Sequence, residues 1–306
     1  VAETAATLTA FDRDTAVREL SRAADDGRGG GRTCFAVDVS PDWRAGRGPH
    51  GGYLAALILR ALVETVADAA RTPRSLTIHY ARAPRPGPAT IAVTVERAGR
   101  SLSTLSARME QDGALVALAL AAFSVPWSAP DVAELPIPDV APPDAERKSG
   151  VLLFGGAPQF TRHLVLQPRI GAIPFTGSTE PMEVGAWLGL SEPRPIDALS
   201  LAFFSDALFS PPFIRRREPA TSPTIDLTVH FRAAIAGDWT AQATGKPNIG
   251  AGAAGADGGD PHELCFARFR SGVVHDGFFE EDGVIWSADG AVLAQSRQLA
   301  ILMPIG

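Results

Sequence analysis

One carboxylate stands alone in an apolar run. Residues 199–209 read LSLAFFSDALF, and Asp206 is their single charge. The run is long enough for roughly three helical turns, and Pro195 just upstream suits a helix start. On such a helix Ala202, Phe203 and Phe209 would lie one turn from Asp206. A carboxylate on that face is desolvated, the setting in which functional acids and bases are tuned. The plainer alternatives are an aspartate on a solvent stripe, or one tied to nearby backbone.

A second feature is His50-Gly51-Gly52, at the head of PHGGYLAALILRALVETVADAA, residues 49–70. Two glycines let another group approach the backbone closely. Arg215, Arg216 and Arg217 follow the Asp206 run and suit either phosphate binding or a solvated charge run. His79 and His230 recur at one repeat position, which points to structure. The six histidines and two cysteines show no metal-ligand spacing, so no metal and no cofactor is expected. No G-x-S-x-G elbow occurs, which argues against the serine-elbow hydrolase route.

The elements that must position these groups can be read along the chain. The 306 residues allow two ordinary domains, and 45% hydrophobic content allows a sizeable core. A net charge of −6 argues against a nucleic-acid partner. Two cysteines make no disulfide framework, and no apolar run is long enough to span a membrane. No secretory signal is visible, so the expected setting is cytoplasmic. Residues 11–24 read as an amphipathic helix. Residues 34–39 alternate as a strand. Residues 49–70 read as a buried helix, with Arg60, Glu64 and Asp68 on one wet stripe. Strands are expected at 75–82, 89–97, 101–111 and 114–125. Residues 126–143 are rich in Pro, Ala and Asp and read as a linker. Strands resume at 151–154, 162–166, 182–188, 225–233, 265–274, 277–281 and 291–303.

The chain repeats itself. LTIHY at 76–80 matches LTVHF at 227–231, an offset of 151 (227 − 76), and DGALVA at 112–117 matches DGAVLA at 289–294, an offset of 177 (289 − 112). The difference places an insertion in the second half, at the Gly/Ala-rich residues 241–262, which are expected to be a mobile excursion. Each half has one buried helix and about five antiparallel strands, and such a sheet needs the helix to cover its apolar face. The expected boundaries are 1–128, a linker at 129–158, and 159–306. The fold class is α+β, and free sheet edges offer a route to homo-oligomers.

A long helix wrapped by a curled antiparallel sheet, occurring twice with GGYLAALILRAL and LAFFSDAL, resembles the double-hotdog acyl-CoA thioesterases of the TesB-like family. The resemblance covers nearly the whole chain. It implies that Asp206, Thr224 in PTIDLTVHF and Gln298 in AQSRQLAIL hold a hydrolytic water. It also implies an acyl-CoA substrate and a place in lipid metabolism. Gly51 and Gly52, with His50 and Tyr53, are expected at the oxyanion and substrate end, where helix-start N–H groups meet negative charge. The family's Gly-Gly-Gln is Gly51-Gly52-Tyr53 here. Phe203, Phe204 and Phe209 are expected to line the acyl pocket. Two other readings stay open. A catalytically silent acyl-CoA-binding hotdog protein is one. A hotdog dehydratase or hydratase is the other; that chemistry wants a histidine beside the aspartate, and the Asp206 run offers none.

Overall fold

The computed structural model describes residues 8–23, 30–46, 48–145, 157–233 and 264–305. The expected strand at 151–154 and the insertion at 241–262 lie outside the described residues. The first half runs α1 (Ala10–Asp14), β1 (Arg18–Ala23), β2 (Arg32–Val39), α2 (Gly51–Val66), β3 (Thr72–Tyr80), β4 (Gly87–Ala98), β5 (Leu102–Gln111) and β6 (Ala114–Ser124). The second runs β7 (Leu164–Ile170), β8 (Glu183–Leu190), α3 (Ala198–Phe204), β9 (Thr224–Phe231), β10 (Cys265–Arg270), β11 (Phe278–Trp286) and β12 (Val292–Ile301). These strands form one antiparallel sheet in the order β1-β2-β4-β5-β6-β3-β9-β12-β11-β10-β8-β7, with Val274–His275 paired to β11. The fold is a double hotdog, and α2 and α3 pack against each other inside it.

The halves meet where the repeat is strongest. β3 and β9 pair so that Thr77 faces Thr228, Leu76 faces Val229 and Ile78 faces Leu227. The two threonine hydroxyls lie 3.1 Å apart. A local two-fold axis therefore passes between residues related by the 151 offset. The second offset holds too: Leu227 faces Gln298 in β12, and its counterpart Leu76 faces Ala121 in β6.

α2 is buried on nearly every side, from Gly52 through Val63 and at Thr65. Full burial of each leucine or isoleucine there contributes about 1.5–3 kcal/mol. Two expectations about the first half are corrected. Residues 11–24 do not form one helix: α1 stops at Asp14, and Arg18–Ala23 adds to the edge of β2. Phe11 is buried but Leu20 is 51% exposed, so no continuous apolar stripe exists for a helix to bury. Arg60 is not on a wet edge; it is buried, with Nη2 3.8 Å from Asp12 Oδ1. Asp12 also takes Arg194 Nε at 2.9 Å, while Arg194 Nη2 reaches Asp197 at 2.5 Å. Burial works against the Arg194 charge, but Asp197 and Asp12 more than offset it.

α3 is shorter than its apolar run. Asp197 is its N-cap, accepting from Ser200 N at 2.8 Å in a reciprocal capping box. Ser205 closes the helix, and Pro211 begins a separate 3-10 turn, Pro211–Arg215. Proline disfavours helical backbone in the residue before it, so the helix cannot run on through Ser210. Asp206 thus stands just past the helix end, not on its face. Residues 129–145 carry no helix or strand. They are fastened to the second half, where Trp286 Nε1 donates to Leu135 O at 2.8 Å and Trp187 Nε1 to Ala141 O at 2.9 Å.

Candidate active site

Leaving the helix lets Asp206 reach the first half. Its Oδ2 accepts from Gly52 N at 2.9 Å, so the second half supplies the cap of α2. His50, in the N-cap position, makes no side-chain cap bond of its own. A first-turn N–H left unpaired in the core is costly, and a carboxylate there also meets the positive end of the dipole. The glycines are required by this approach of the halves: a Cβ on Gly51 would stand 2.8 Å from Asp206 Oδ2, and one on Gly52 closer still to Phe203 O. Tyr80, from β3, donates its hydroxyl to Gly51 O at 2.8 Å. Burial, with the Asp206 charge adding to it, pushes the Tyr80 phenol well up, so it stays a donor.

His50 lies against the same carboxylate. Its Nε2 is 2.7 Å from Asp206 O and 3.4 Å from Asp206 Oδ2. The absence of a histidine inside the Asp206 run thus says nothing about the site, because the other half provides one. The ring stacks on Phe160 at 4.0 Å and meets Phe203 edge-on at 5.2 Å. Burial lowers the His50 pKa, against the pull of Asp206, and favours a neutral ring. With Nε2 protonated toward Asp206 O, Nδ1 keeps a lone pair, and that atom is buried with no hydrogen-bond partner.

The other two expected residues form a pair. Thr224, at the start of β9, donates from Oγ1 to Gln298 Oε1 at 2.8 Å. Gln298 occupies an inward position of β12 and is buried. Its Nε2 donates to Glu281 Oε1 at 2.6 Å, from the facing position on β11. Burial raises the Glu281 pKa to about 8; the Gln298 bond opposes this, and the charges of Asp206 and Asp282 add to it. Thr224, Gln298 and Glu281 thus form one buried series of hydrogen bonds, whereas the side-chain and main-chain oxygens of Asp206 meet Gly52 and His50 of the first half. Sequence reading missed it, although Phe279, Glu281, Gly283 and Ile285 alternate inward in FFEEDGVIW.

The remaining expected residues are placed differently. Gly52 N–H is not open to a substrate oxyanion, because Asp206 holds it. Tyr53 is a core residue: its ring stacks on Trp43 at 5.6 Å, and its hydroxyl donates to Asp14 O at 2.8 Å and accepts from Ser40 N at 3.2 Å. That commitment overturns its expected substrate contact. Phe203 is fully buried among Phe11, Trp43, His50, Phe160 and Phe204. Phe204 is equally buried, and Phe209 is half-buried against the main core. Arg215 and Arg217 are exposed, and Arg215 donates to Ser178 O at 3.2 Å. Among the described residues no cluster of His, Cys, Asp and Glu is arranged to hold a metal, and no helix is long and apolar enough to cross a membrane.

Comparison with known proteins adds to this geometry. The acyl-CoA thioesterase N-terminal domain matches residues 39–124, and the acyl-CoA thioesterase C-terminal domain matches 136–259 and 256–302. An uncharacterized protein of Mycobacterium tuberculosis is 22% identical over 295 residues, spanning 88% of this chain and 90% of its own. A hot dog fold protein of unknown function from Alicyclobacillus acidocaldarius superposes with a TM-score of 0.75 at 24% identity, covering 98% of this chain and 100% of that one. The acyl-CoA thioesterase II TesB2 of Mycobacterium marinum superposes with a TM-score of 0.67 at 16% identity, covering 97% and 98%.

Proposed function

The chain belongs to the acyl-CoA thioesterase family and is a thioester hydrolase, and we propose that in it Asp206 is the general base and Thr224 and Gln298 hold the water. The observation that carries this reading is the buried Thr224–Gln298–Glu281 series of hydrogen bonds in the half that also bears Asp206. Glu281 accepts from Gln298, which accepts from Thr224, and it feels the Asp206 charge. Thr224 spends its proton on Gln298, so its lone pairs are left to accept one hydrogen of the water. The second N–H of Gln298 is left to donate to the water oxygen. Asp206 takes the other hydrogen as the oxygen attacks the thioester carbonyl carbon. The tetrahedral intermediate collapses by breaking the C–S bond. The thiolate then recovers the proton from Asp206, giving free acid and thiol. With Gly52 N–H engaged, the Gly51 N–H is the helix-start donor assigned to the oxyanion. The substrate is a fatty or related acyl-CoA.

Asp206→Asn tests the assignment. It should lower kcat at least ~100-fold, the scale of a lost general base. The amide oxygen can still accept from Gly52 N, so the fold should survive. Wild-type turnover in this variant, measured as thiol release from a panel of acyl-CoAs, would remove Asp206 from the mechanism.

A second reading has its own observation. The His50 Nε2 to Asp206 Oδ2 approach of 3.4 Å is the kind of pair a hydratase or dehydratase uses. Hydrolysis is favoured, because His50 is 4% exposed and its Nε2 is committed to Asp206 O. Hydration of an enoyl-CoA without thiol release would reverse that preference, and binding with neither reaction would make the chain a silent acyl-CoA binder.

A further inference from the structure

Glu281 is a buried acid that the fold does not need. The repeat shows this directly. Gln298 faces Leu227 on one side and Glu281 on the other; the corresponding Ala121 faces Leu76 and Leu105. The first half therefore fills the same inward position with Leu105, which is fully buried in the core. Thr224 faces Ala300 as Pro73 faces Phe123, so its counterpart is a proline. The half with Pro73, Ala121 and Leu105 has none of the three polar groups. The half with Thr224, Gln298 and Glu281 has all of them, hydrogen-bonded in series. Glu281 came with the pair, not with the sheet. Its Oε2 is buried and has no hydrogen-bond partner, a cost that a leucine would not carry.

We propose that Glu281 is a positioning residue of the hydrolytic site, holding the Gln298 amide with its nitrogen toward β11 and its oxygen toward Thr224. This rests on the assignment of Asp206, Thr224 and Gln298 above. An amide is nearly symmetric in shape, so only its partners decide which end is donor. With Glu281 Oε1 as acceptor at 2.6 Å and the carboxyl proton on Oε2, the nitrogen end is fixed. The oxygen end must then accept from Thr224, which turns the threonine lone pairs toward the water. Without Glu281 the amide can flip; Thr224 then accepts from the amide nitrogen and turns its own proton toward the water, where an acceptor is needed.

The acid's own charge matters as well. The charged groups that act on Glu281 are Asp206, beyond α3, and Asp282, next to it on β11; both are acidic. Asp282 is paired outward with Arg297 at 2.6 Å, and from β12 the group facing Glu281 is the neutral Gln298 amide. No cation among them offsets ionisation. Neutral Glu281 leaves Asp206 as the one negative group beside the reacting carbonyl. An ionised Glu281 adds a second, which opposes oxyanion formation.

The experiment compares Glu281→Leu, Glu281→Gln and Asp206→Asn with the wild type, by thiol release from one acyl-CoA that the wild type hydrolyses, over a range of pH and with the uncatalysed rate subtracted. Glu281→Leu copies the first half's own residue. It should lose at least ~10-fold in kcat, the scale of a misplaced reactant, while KM changes less than about threefold. Glu281→Gln keeps an acceptor oxygen and should recover most of that loss. The wild-type rate should fall as pH rises through about 8, and the Glu281→Gln profile should lack that fall. With Asp206→Asn inactive, a wild-type kcat in Glu281→Leu, or an unchanged alkaline fall in Glu281→Gln, overturns the proposal alone. Should Glu281→Leu not fold, the Glu281→Gln profile still decides. An Asp206→Asn variant of wild-type activity overturns the site assignment, and the role of Glu281 falls with it.

Discussion

Replacing Glu281 by glutamine should change how the stability of the protein depends on pH. Glu281 has an ordinary pKa of 4.5, and in the folded chain burial raises it to about 8. Below 4.5 both the folded and the unfolded chain hold the proton, so its titration costs nothing. Between 4.5 and about 8 the folded chain keeps the proton and the unfolded chain has lost it. The folded state then binds more protons, and stability falls as pH rises. Above about 8 both states are ionised and the loss is complete. One pKa unit corresponds to about 1.4 kcal/mol, so the full span is worth about 5 kcal/mol, of which about 3 is already lost at pH 7. Glu281 is 3% exposed, so solvent does little to screen it. Against a typical folding stability of about 5–15 kcal/mol, this is a large term.

Glutamine keeps the size and the acceptor but cannot ionise. Urea unfolding of wild type and Glu281→Gln at pH 5, 7 and 9 gives the difference directly, because every other titrating group is common to both. The glutamine chain should gain on the wild type by about 4 kcal/mol between pH 5 and pH 9, and then by nothing more. Any packing difference between the two side chains enters as a constant offset, so only the slope bears on the reasoning. A difference that stays flat within about 0.5 kcal/mol, the error expected for such comparisons, would mean that Glu281 is ionised or solvated in the folded chain.

Other outcomes follow from the same geometry. Asp206→Ala should cost about 1 kcal/mol of stability, because it removes the cap of α2, whereas Asp206→Asn should cost less; denaturant melts distinguish them. Gly51→Ala should lower kcat with the fold retained, since its Cβ would stand 2.8 Å from Asp206 Oδ2 and push the base away; unaltered kinetics would mean that the Asp206 contact is not needed for turnover. Arg194→Met should destabilise the protein by about 3–5 kcal/mol, because Asp12 and Asp197 are left buried without their shared cation; a melting temperature equal to wild type would contradict that. Titration with a non-hydrolysable acyl-CoA analogue should give one equivalent per chain, and two equal sites would contradict the asymmetry of the halves.

Much of the fold was legible because it rests on period and repetition. The strands at β3 to β6, the buried helix α2 and the two offsets all follow from alternation and from LTIHY matching LTVHF. The site was less legible, for physical reasons tied to single residues. Asp206 looked like a helix-face residue because Leu199–Phe204 continues into Ala207 and Phe209. What ends the helix is the Ser205 closure, the turn and Pro211, not a change in hydrophobicity. Nor does the apolar context show the bond from Gly52 N–H that makes the Asp206 carboxylate a helix cap. Tyr53 follows the glycines in sequence, yet one residue along a helix is a rotation of about 100°, which takes its ring into the core beside Trp43. His50 was separated from Asp206 by most of the chain, and only tertiary packing brings them together. Glu281 could have been read from the alternation of β11, where its register is that of Phe279 and Ile285.

The shortness of α3 is what makes the two halves depend on each other. Had the helix run to Phe209, Asp206 would have been bound to its own turn and α2 would have lost its cap. Because α3 ends at Phe204, Asp206 is free to cross to Gly52 N, and His50 from the first half closes over its main-chain oxygen at 2.7 Å. The first half contributes a helix start that it does not cap itself. The second contributes the carboxylate together with Thr224, Gln298 and Glu281, whose counterparts are Pro73, Ala121 and Leu105. The repeat kept the sheet and the central β3–β9 joint in both halves, while the polar groups survive in one and the paired glycines in the other. Neither half alone can then set the Asp206 carboxylate against the helix start, so that contact depends on the joint at Thr77 and Thr228.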